Sequence, residues 1–409
     1  MFRKSQSGGA TDAARGDFAY LPADALYFDS ACQSLRPQSV IDAMREYYTE
    51  FNSCGERVKY QWGREVDEKV EAARAKILRL LKLPAKDYFV SFTLNTTYGI
   101  NLILDQIKPE LFAKVITSDI EHNSPFLSTM TFSRKYDIPR EVLVRNGDGS
   151  IDLAAADFAN ALVVMNCVSN VDGRKMENFA DVARKIHAAG GVFVVDASQA
   201  MAFYSRWLAD EIAQLKPDEK PAAICFSSHK MYGPSLGAMV VRRDLLAKID
   251  TSFIGGGMVD DVRETDFDLS AKNPEHIATA FEAGLQPYAE IIGLGAAVDF
   301  LASRAKNDYA RVEDFAKRIF EFLANSPKVH LINRAPSSTM SFYHENLDGH
   351  LLAEALSDAG VMARSGYFCV HYFLDHVKHY PPLVRLSLGF HNRESDVAKL
   401  LEILGRICQ

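Results

Sequence analysis

Between about residues 88 and 242, short apolar runs alternate with stretches of helical period. The runs are "YFVSF", "KVIT", "ALVVMN", "GVFVVD", "AAICFSS" and "GAMVV". A strand that is apolar throughout must be covered on both faces, which is the pattern of a mostly parallel sheet between layers of helix. Ahead of these runs, "RPQSVIDAMREYYTEF" sets Val40, Ile41, Met44, Tyr47, Tyr48 and Phe51 on one stripe behind Pro37. "GREVDEKVEAARAKILRLLKL" does the same with Val66, Val70, Ala73, Ile77, Leu80 and Leu81. Both are predicted as amphipathic helices, the first opened by its proline. From about residue 287 the pattern changes to one long apolar helix, "PYAEIIGLGAAVDFLASRAK", then short strands and a closing helix, "ESDVAKLLEILGRI". The expected class is α/β. The change of pattern divides the chain into a flexible lead-in over 1–22, a large domain over 23–286 and a smaller α+β domain over 287–409, with the N-terminal segment contributing to the small domain as well.

Composition narrows the partners more than the fold. The 409 residues are 48% hydrophobic, which suits more than one core, and their formal net charge of −7 includes no long basic run. Nucleic acid and anionic lipid are therefore not expected as partners. No apolar stretch reaches the roughly 18 residues of a membrane span, and "MFRKSQSGGATDAARGDFAY" has no apolar segment of the secretory kind. Six cysteines, at positions 32, 54, 167, 225, 369 and 408, are scattered without a CxxC pair. That usage fits free thiols in the cytoplasm better than a disulfide framework. No metal is expected: "NGDGSIDL" lacks the remaining ligands of a calcium loop, and no thiol or carboxylate completes a site around His371, His376 and His379.

Ligands of a parallel α/β sheet sit beyond the carboxyl ends of its strands, so the polar residues after each apolar run are the ones that matter. "TLNTTYGIN" puts Thr96 and Thr97 at the start of a predicted helix, where hydroxyls and free N–H groups suit a phosphate, although threonine also serves there as a simple cap. "SDIEHNS" puts His122 at the same rim, where a structural histidine would be equally ordinary. "DASQA" supplies Asp196 and Gln199. A carboxylate at the end of a buried strand needs a cation or hydrogen-bond donors, and either a protonated pyridine nitrogen or the next helix would serve. "SSHK" then places Lys230 on the following strand at the same end of the sheet. A reactive amine, an acid and an anion cradle together are what pyridoxal 5′-phosphate (PLP) requires of a protein.

Longer motifs sharpen this. "YFDSACQSLRPQSVIDAM", "TTYGINLI", "EHNS", "VSNVDG", "VDASQA", "SSHKMYGPSLGAMVV", "GGGMV", "FEAGLQPYAEIIGLGAAVDFL", "RSGYFC" and "RLSLGFHNRESDVAKLLEIL" follow one another nearly end to end. In this order they resemble the class V aminotransferases of PLP fold type I, and within them the cysteine desulfurase and selenocysteine lyase branch. The resemblance implies a large domain around a mostly parallel, seven-stranded sheet with a smaller α+β domain, PLP as cofactor, and a homodimer with its sites at the subunit interface. It implies Lys230 as the Schiff-base lysine and acid/base, Asp196 against the pyridine nitrogen, Gln199 at the ring hydroxyl and His122 on the ring face. Thr96, Thr97, Ser227 and His229 would hold the phosphate. Asn170 and Arg364 would position an amino-acid substrate. Cys369 would take the sulfur of L-cysteine as a persulfide, releasing L-alanine and leaving sulfur for an acceptor protein.

Two positions depart from the branch. Its Gly-His-His-Cys is Gly366-Tyr367-Phe368-Cys369 here, so an imidazole beside the thiol is missing, and a free thiol is only a few per cent ionised near neutral pH. Its Phe-Glu-Ala-Gly-Thr is Phe281-Glu282-Ala283-Gly284-Leu285, and Leu285 cannot donate to a neighbouring subunit's phosphate. Cys32 also replaces a small alanine. These changes keep open another class V reaction on a different amino acid, such as transamination, epimerisation or a C–S or other β-lyase step, with Cys369 not catalytic. A binding protein without activity has no physical need for Lys230, Asp196, Gln199 and Arg364 together.

Overall fold

The computed structural model describes residues 13–55 and 58–408. The central sheet has seven strands: β1 (Tyr88–Thr93), β2 (Lys114–Ser118), β3 (Arg140–Leu143), β4 (Ala161–Asn166), β5 (Val192–Asp196), β6 (Ala223–Ser227) and β7 (Gly237–Arg242). Their spatial order is β1-β7-β6-β5-β4-β2-β3. Only β7 runs against its neighbours, and the remaining pairs are parallel. Six strands coincide with the apolar runs. The seventh, β3, is a half-buried edge strand, "REVL", whose two leading charged residues leave no continuous apolar signal. The α/β class read from the sequence is the class of the structure.

Helices α1 (Gln38–Glu50) and α2 (Gln61–Leu80) form where the stripes predict. The stripe of α1 is narrower than expected. Val40, Tyr47 and Phe51 are buried, whereas Ile41 and Tyr48 remain exposed. The apolar helix Tyr288–Ser303 is buried along almost its whole length against α1 and α2. Gly293 and Gly295 permit that approach, since a Cβ would meet Met44 at 2.8 Å and Ala73 at 3.2 Å respectively. Glu282, just ahead of this helix, is clamped by the Arg74 guanidinium at 2.9 and 2.8 Å and accepts from the Phe92 N–H at 2.6 Å. This two-pronged pairing fixes α2 to β1. No described helix is long and apolar enough to cross a membrane.

A second, antiparallel sheet carries Val329–Leu331, Thr339–His344, Leu383–Ser387 and Arg364–Gly366 in that order. The N-terminal segment is stitched to it: Leu26–Tyr27 pairs with Val361–Met362, and Asp29 bridges Ser387. The first twelve residues of the expected lead-in lie outside the described residues. From Ala13 onward a 3-10 turn drives Phe18 to full burial, edge-on to Phe300 and to His391.

His391 donates from Nε2 to the Tyr27 carbonyl at 2.9 Å, and burial lowers its pKa to about 4. A histidine lowered in the fold is neutral in both states above about pH 6.5. Stability is then lost as pH falls toward 4, because the unfolded chain binds the proton first. By pH 5 this group alone costs about 2 kcal/mol. His391→Gln is therefore expected to narrow the gap between melting temperatures at pH 7.5 and pH 5. An unchanged gap would contradict the assignment.

Candidate active site

The strand ends and the second sheet enclose a cavity of about 290 Å³. Every residue singled out in the sequence for cofactor, substrate or catalysis reaches it: Thr96, Thr97, His122, Asn170, Asp196, Gln199, Ser227, His229, Lys230, Arg364 and Cys369. A larger hollow of about 480 Å³ opens between α2 and residues 257–291, but its wall holds no thiol.

The anion cradle sits at the N-terminus of helix α3 (Thr96–Gln106), which Asn95 caps through the Tyr98 N–H. Thr96 Oγ1 lies 2.7 Å from both Ser198 Oγ and Ser227 Oγ, and the Thr96 N–H donates to Ser227 Oγ at 2.9 Å. Thr97 Oγ1 is 2.6 Å from Ser124 Oγ. Hydroxyls drawn from four strand ends thus converge where the helix dipole and N–H groups favour negative charge. A Cβ at Gly237 would lie 2.5 Å from Asn95 Cα, so only glycine lets β7 start this close to the cap. Ser198 is a member of this group that the sequence reading passed over, since a serine after Asp-Ala reads as part of a turn.

Lys230 ends a 3-10 turn, Ser228–Lys230, that leaves β6. Ser34 pins this turn: its N–H and Oγ donate to the His229 carbonyl at 2.8 and 2.9 Å, and its Oγ accepts from the Tyr232 N–H at 2.6 Å. Tyr232, held at φ 70°, is fully buried with its ring against Phe390. The Lys230 amine makes no side-chain hydrogen bond among the described residues. Burial lowers its pKa, while Asp196 pulls in the opposite direction. Asp196 is buried at the end of β5, where its Oδ1 accepts from the Ser198 N–H at 2.9 Å. Burial raises its pKa, and no cation lies within ion-pair distance among the described residues.

His122 caps helix α4 (Asn123–Tyr136), its Nδ1 accepting from the Ser124 N–H at 3.1 Å. Burial lowers its pKa to about 3, with Lys230 and Arg385 adding to the shift. The ring is neutral near pH 7, with its proton on Nε2. His229, lowered to about 4 mainly by burial, is neutral as well. Gln199 Nε2 donates to the Ala31 carbonyl at 2.8 Å, leaving its oxygen for the cavity.

Cys369 sits on a turn with two successive left-handed residues, Phe368 at φ 49° and Cys369 at φ 60°. Such backbone persists only where its surroundings fix it. Here Asn170 Nδ2 donates to the Phe368 carbonyl at 2.8 Å and the Asn123 N–H to the Cys369 carbonyl at 2.6 Å. The Cys369 side chain is exposed.

Arg385 is a second cavity residue that sequence reasoning missed. It lies directly across the ladder from Arg364, and two like charges so placed repel. Asp29 resolves the conflict by meeting Arg385 at 3.3 Å and Arg364 at 3.7 Å. Arg385 is buried, donates to the Asn170 carbonyl at 2.9 Å, and lies over the Phe368 ring at 4.8 Å. Its Nε and the neighbouring Asn170 Oδ1 are both buried without a partner among the described residues. Arg364 is 45% exposed, and its guanidinium is in contact with Cys32 Sγ. Two sequence signals for Arg385 were available: it stands among apolar residues in "LVRLS", and it opens the motif "RLSLGFHNRESDVAKLLEIL" that carries part of the family resemblance.

The sequence profile of the family described as Aminotransferase class-V matches residues 26–400. The chain belongs to the class V aminotransferase family. This class V enzyme is PLP-dependent, as its family is. It is 27% identical to a cysteine desulfurase of Enterobacter sp. (strain 638) over 96% of its own length and 97% of the relative's. It is 29% identical to a probable cysteine desulfurase of Xylella fastidiosa (strain Temecula1), covering 93% and 90% of the two chains. Among solved structures, the apo cysteine desulfurase of Thermococcus onnurineus NA1 superposes with a TM-score of 0.85 at 23% identity, over 99% of both chains. An Escherichia coli cysteine desulfurase in its S-sulfonic acid form gives 0.83 at 23% identity, over 96% of this chain and 97% of that one. At that identity the likeness establishes the PLP fold type I architecture, as expected from the motifs.

Proposed function

We propose that this class V enzyme is a cysteine desulfurase, or a selenocysteine lyase of the same mechanism, that takes sulfur from L-cysteine onto Cys369 and releases L-alanine. The observation that carries the reading is the Phe368–Cys369 turn, clamped at both carbonyls, which presents an exposed thiol to the cavity that contains Lys230.

The residues fit the cofactor. The hydroxyls of Thr96, Thr97 and Ser227 with His229 form a cradle suited to its phosphate; among the described residues Asp196 lacks a cation that a pyridinium would supply, and Lys230 is a half-buried amine with no competing side-chain hydrogen bond. Gln199 and the neutral ring of His122 would orient the ring from its edge and face. When bound, PLP supplies an electron sink conjugated to the substrate's Cα. Around it, Lys230 moves protons at Cα. The Cys369 thiolate attacks the substrate sulfur, and the Cβ–S bond breaks with its electron pair staying on Cβ, which takes a proton to become the methyl of alanine while the sulfur remains as a Cys369 persulfide. Arg385 is proposed as the principal anchor of the substrate carboxylate, with Asn170 beside it, because its guanidinium is buried with an unpartnered Nε. Arg364 would assist from the mouth, where Cys32 and Asp29 already engage it.

Supplying L-cysteine with dithiothreitol to the PLP-loaded protein should give alanine and sulfide in equal amounts. If other amino acids instead gave ketoacids or racemised product while L-cysteine gave none, a different class V reaction would replace this reading. The replacement of the branch's imidazole by Tyr367 and Phe368 is what favours that second reading.

A homodimer in a reducing compartment is proposed with the function. Leu285 is 75% exposed in the "FEAGL" segment, and Phe253, Ile254 and Val262 ahead of it in the chain are exposed too. Such apolar side chains suit a subunit interface. Light scattering on the purified protein should give twice the chain mass, and a monomer at micromolar concentration would contradict it.

A further inference from the structure

The catalytic cavity holds a second thiol. Cys32 lies on the loop between Asp29 and Ser34, half-buried, and lines the same 290 Å³ space as Cys369 and Lys230. Its sulfur is in contact with the Arg364 guanidinium, which also lies 3.7 Å from the Asp29 carboxylate. Nucleophilic cysteines occupy electropositive, partly accessible settings of this kind, whereas structural ones are buried among apolar groups. Cys167 and Cys225 are of the latter sort, fully buried in the sheet. The cavity also holds Asn170 Oδ1 and Arg385 Nε, both buried and without a partner among the described residues, so Cys32 faces a built site and not a chance crevice.

We propose that Cys32 is a second sulfur carrier, which takes the sulfane sulfur from Cys369 and resets Cys369 for another substrate. The inference rests on the desulfurase reading. The Cys32 thiolate attacks the outer sulfur of the Cys369 persulfide, the S–S bond breaks, and its electron pair leaves on Cys369 as thiolate. Cys32 then bears the persulfide. One S–S bond forms as one breaks, so no oxidant or reductant is consumed. Attack on the inner sulfur would instead expel sulfide and leave a disulfide that needs a reductant, and is not the step proposed. Arg364, already against Cys32, stays as the counter-charge of the loaded group. The consequence is storage: the site accepts two sulfur atoms before any acceptor arrives.

The test uses the PLP-loaded protein under anaerobic conditions without reductant, given about three equivalents of L-cysteine per protomer. Alanine is measured in the burst, and persulfides are mapped after alkylation. Cys32 and Cys369 fall on separate tryptic peptides, spanning 16–45 and 365–378. The expected burst is about two alanines per protomer, with sulfur on both peptides, falling about twofold in Cys32→Ala with sulfur on Cys369 alone. Cys369→Ser should load neither position. Cys32→Ser, closer in size and polarity, should halve the burst like Cys32→Ala, and retention of the cofactor's visible absorbance checks that both variants fold. A burst of one equivalent in the wild type with sulfur confined to Cys369 would overturn the relay and leave desulfuration standing. Sulfur on Cys32 in the Cys369→Ser variant would also overturn it, because the transfer would then be direct. No alanine from the wild type would remove the desulfurase reading and the relay with it.

Discussion

Lys230→Ala is expected to lower turnover by about 10³-fold or more and to abolish the visible absorbance of the lysine-bound cofactor. The expectation follows from where the amine sits. Burial favours its uncharged form, the turn clamped by Ser34 fixes its direction, and no side-chain hydrogen bond competes for it. Lys230→Arg should not restore activity, since a guanidinium stays protonated and cannot shuttle a proton at neutral pH. A small primary amine added to Lys230→Ala should restore part of the rate. A Lys230→Arg enzyme within tenfold of the wild type would mean that another group does the proton transfer.

The next largest effect is expected at Arg385. Removing one member of a buried charge constellation costs about 2–5 kcal/mol, which is about 30-fold to a few thousand-fold in kcat/KM. The loss should appear mainly in KM, because a carboxylate anchor binds ground state and transition state alike. Arg385→Lys should recover only part of it, having lost the two-pronged donor geometry. Arg364→Ala should cost no more than about tenfold, since that side chain is half-exposed and already committed to Cys32 and Asp29. Steady-state kinetics of the three variants decide the matter. If Arg364→Ala proves the more damaging, the anchor is Arg364.

These two residues also mark how far the sequence could be read. Lys230 was legible because strand, polar turn and glycine follow one another locally, and because the residues at other strand ends point to the same cofactor. The parallel sheet was legible for a similar reason: six strands buried on both faces leave unbroken apolar runs. The edge strand Arg140–Leu143 was not, because a half-buried strand lacks that run. Arg385 was hidden because its meaning lies in a cross-strand register, opposite Arg364 with Asp29 between them. Nothing within a few residues of Arg385 specifies that partnership. The contact between Cys32 and Arg364, 332 residues apart, is of the same kind. Cys32 could be noticed as an odd residue in its motif, but only tertiary structure gives its sulfur a cation. The narrower stripe of α1 shows the converse limit: helical period marks which side chains could be buried, and the neighbouring elements decide which are.

The central claim is that sulfur passes from substrate to Cys369. Its most direct test is a single turnover of the PLP-loaded protein with one equivalent of L-cysteine under anaerobic, reductant-free conditions, beside Cys369→Ser. The account predicts alanine and protein-bound persulfide in equal amounts from the wild type and neither from the variant. Alanine undiminished in Cys369→Ser, or no alanine from a wild-type protein that binds its cofactor, would contradict it.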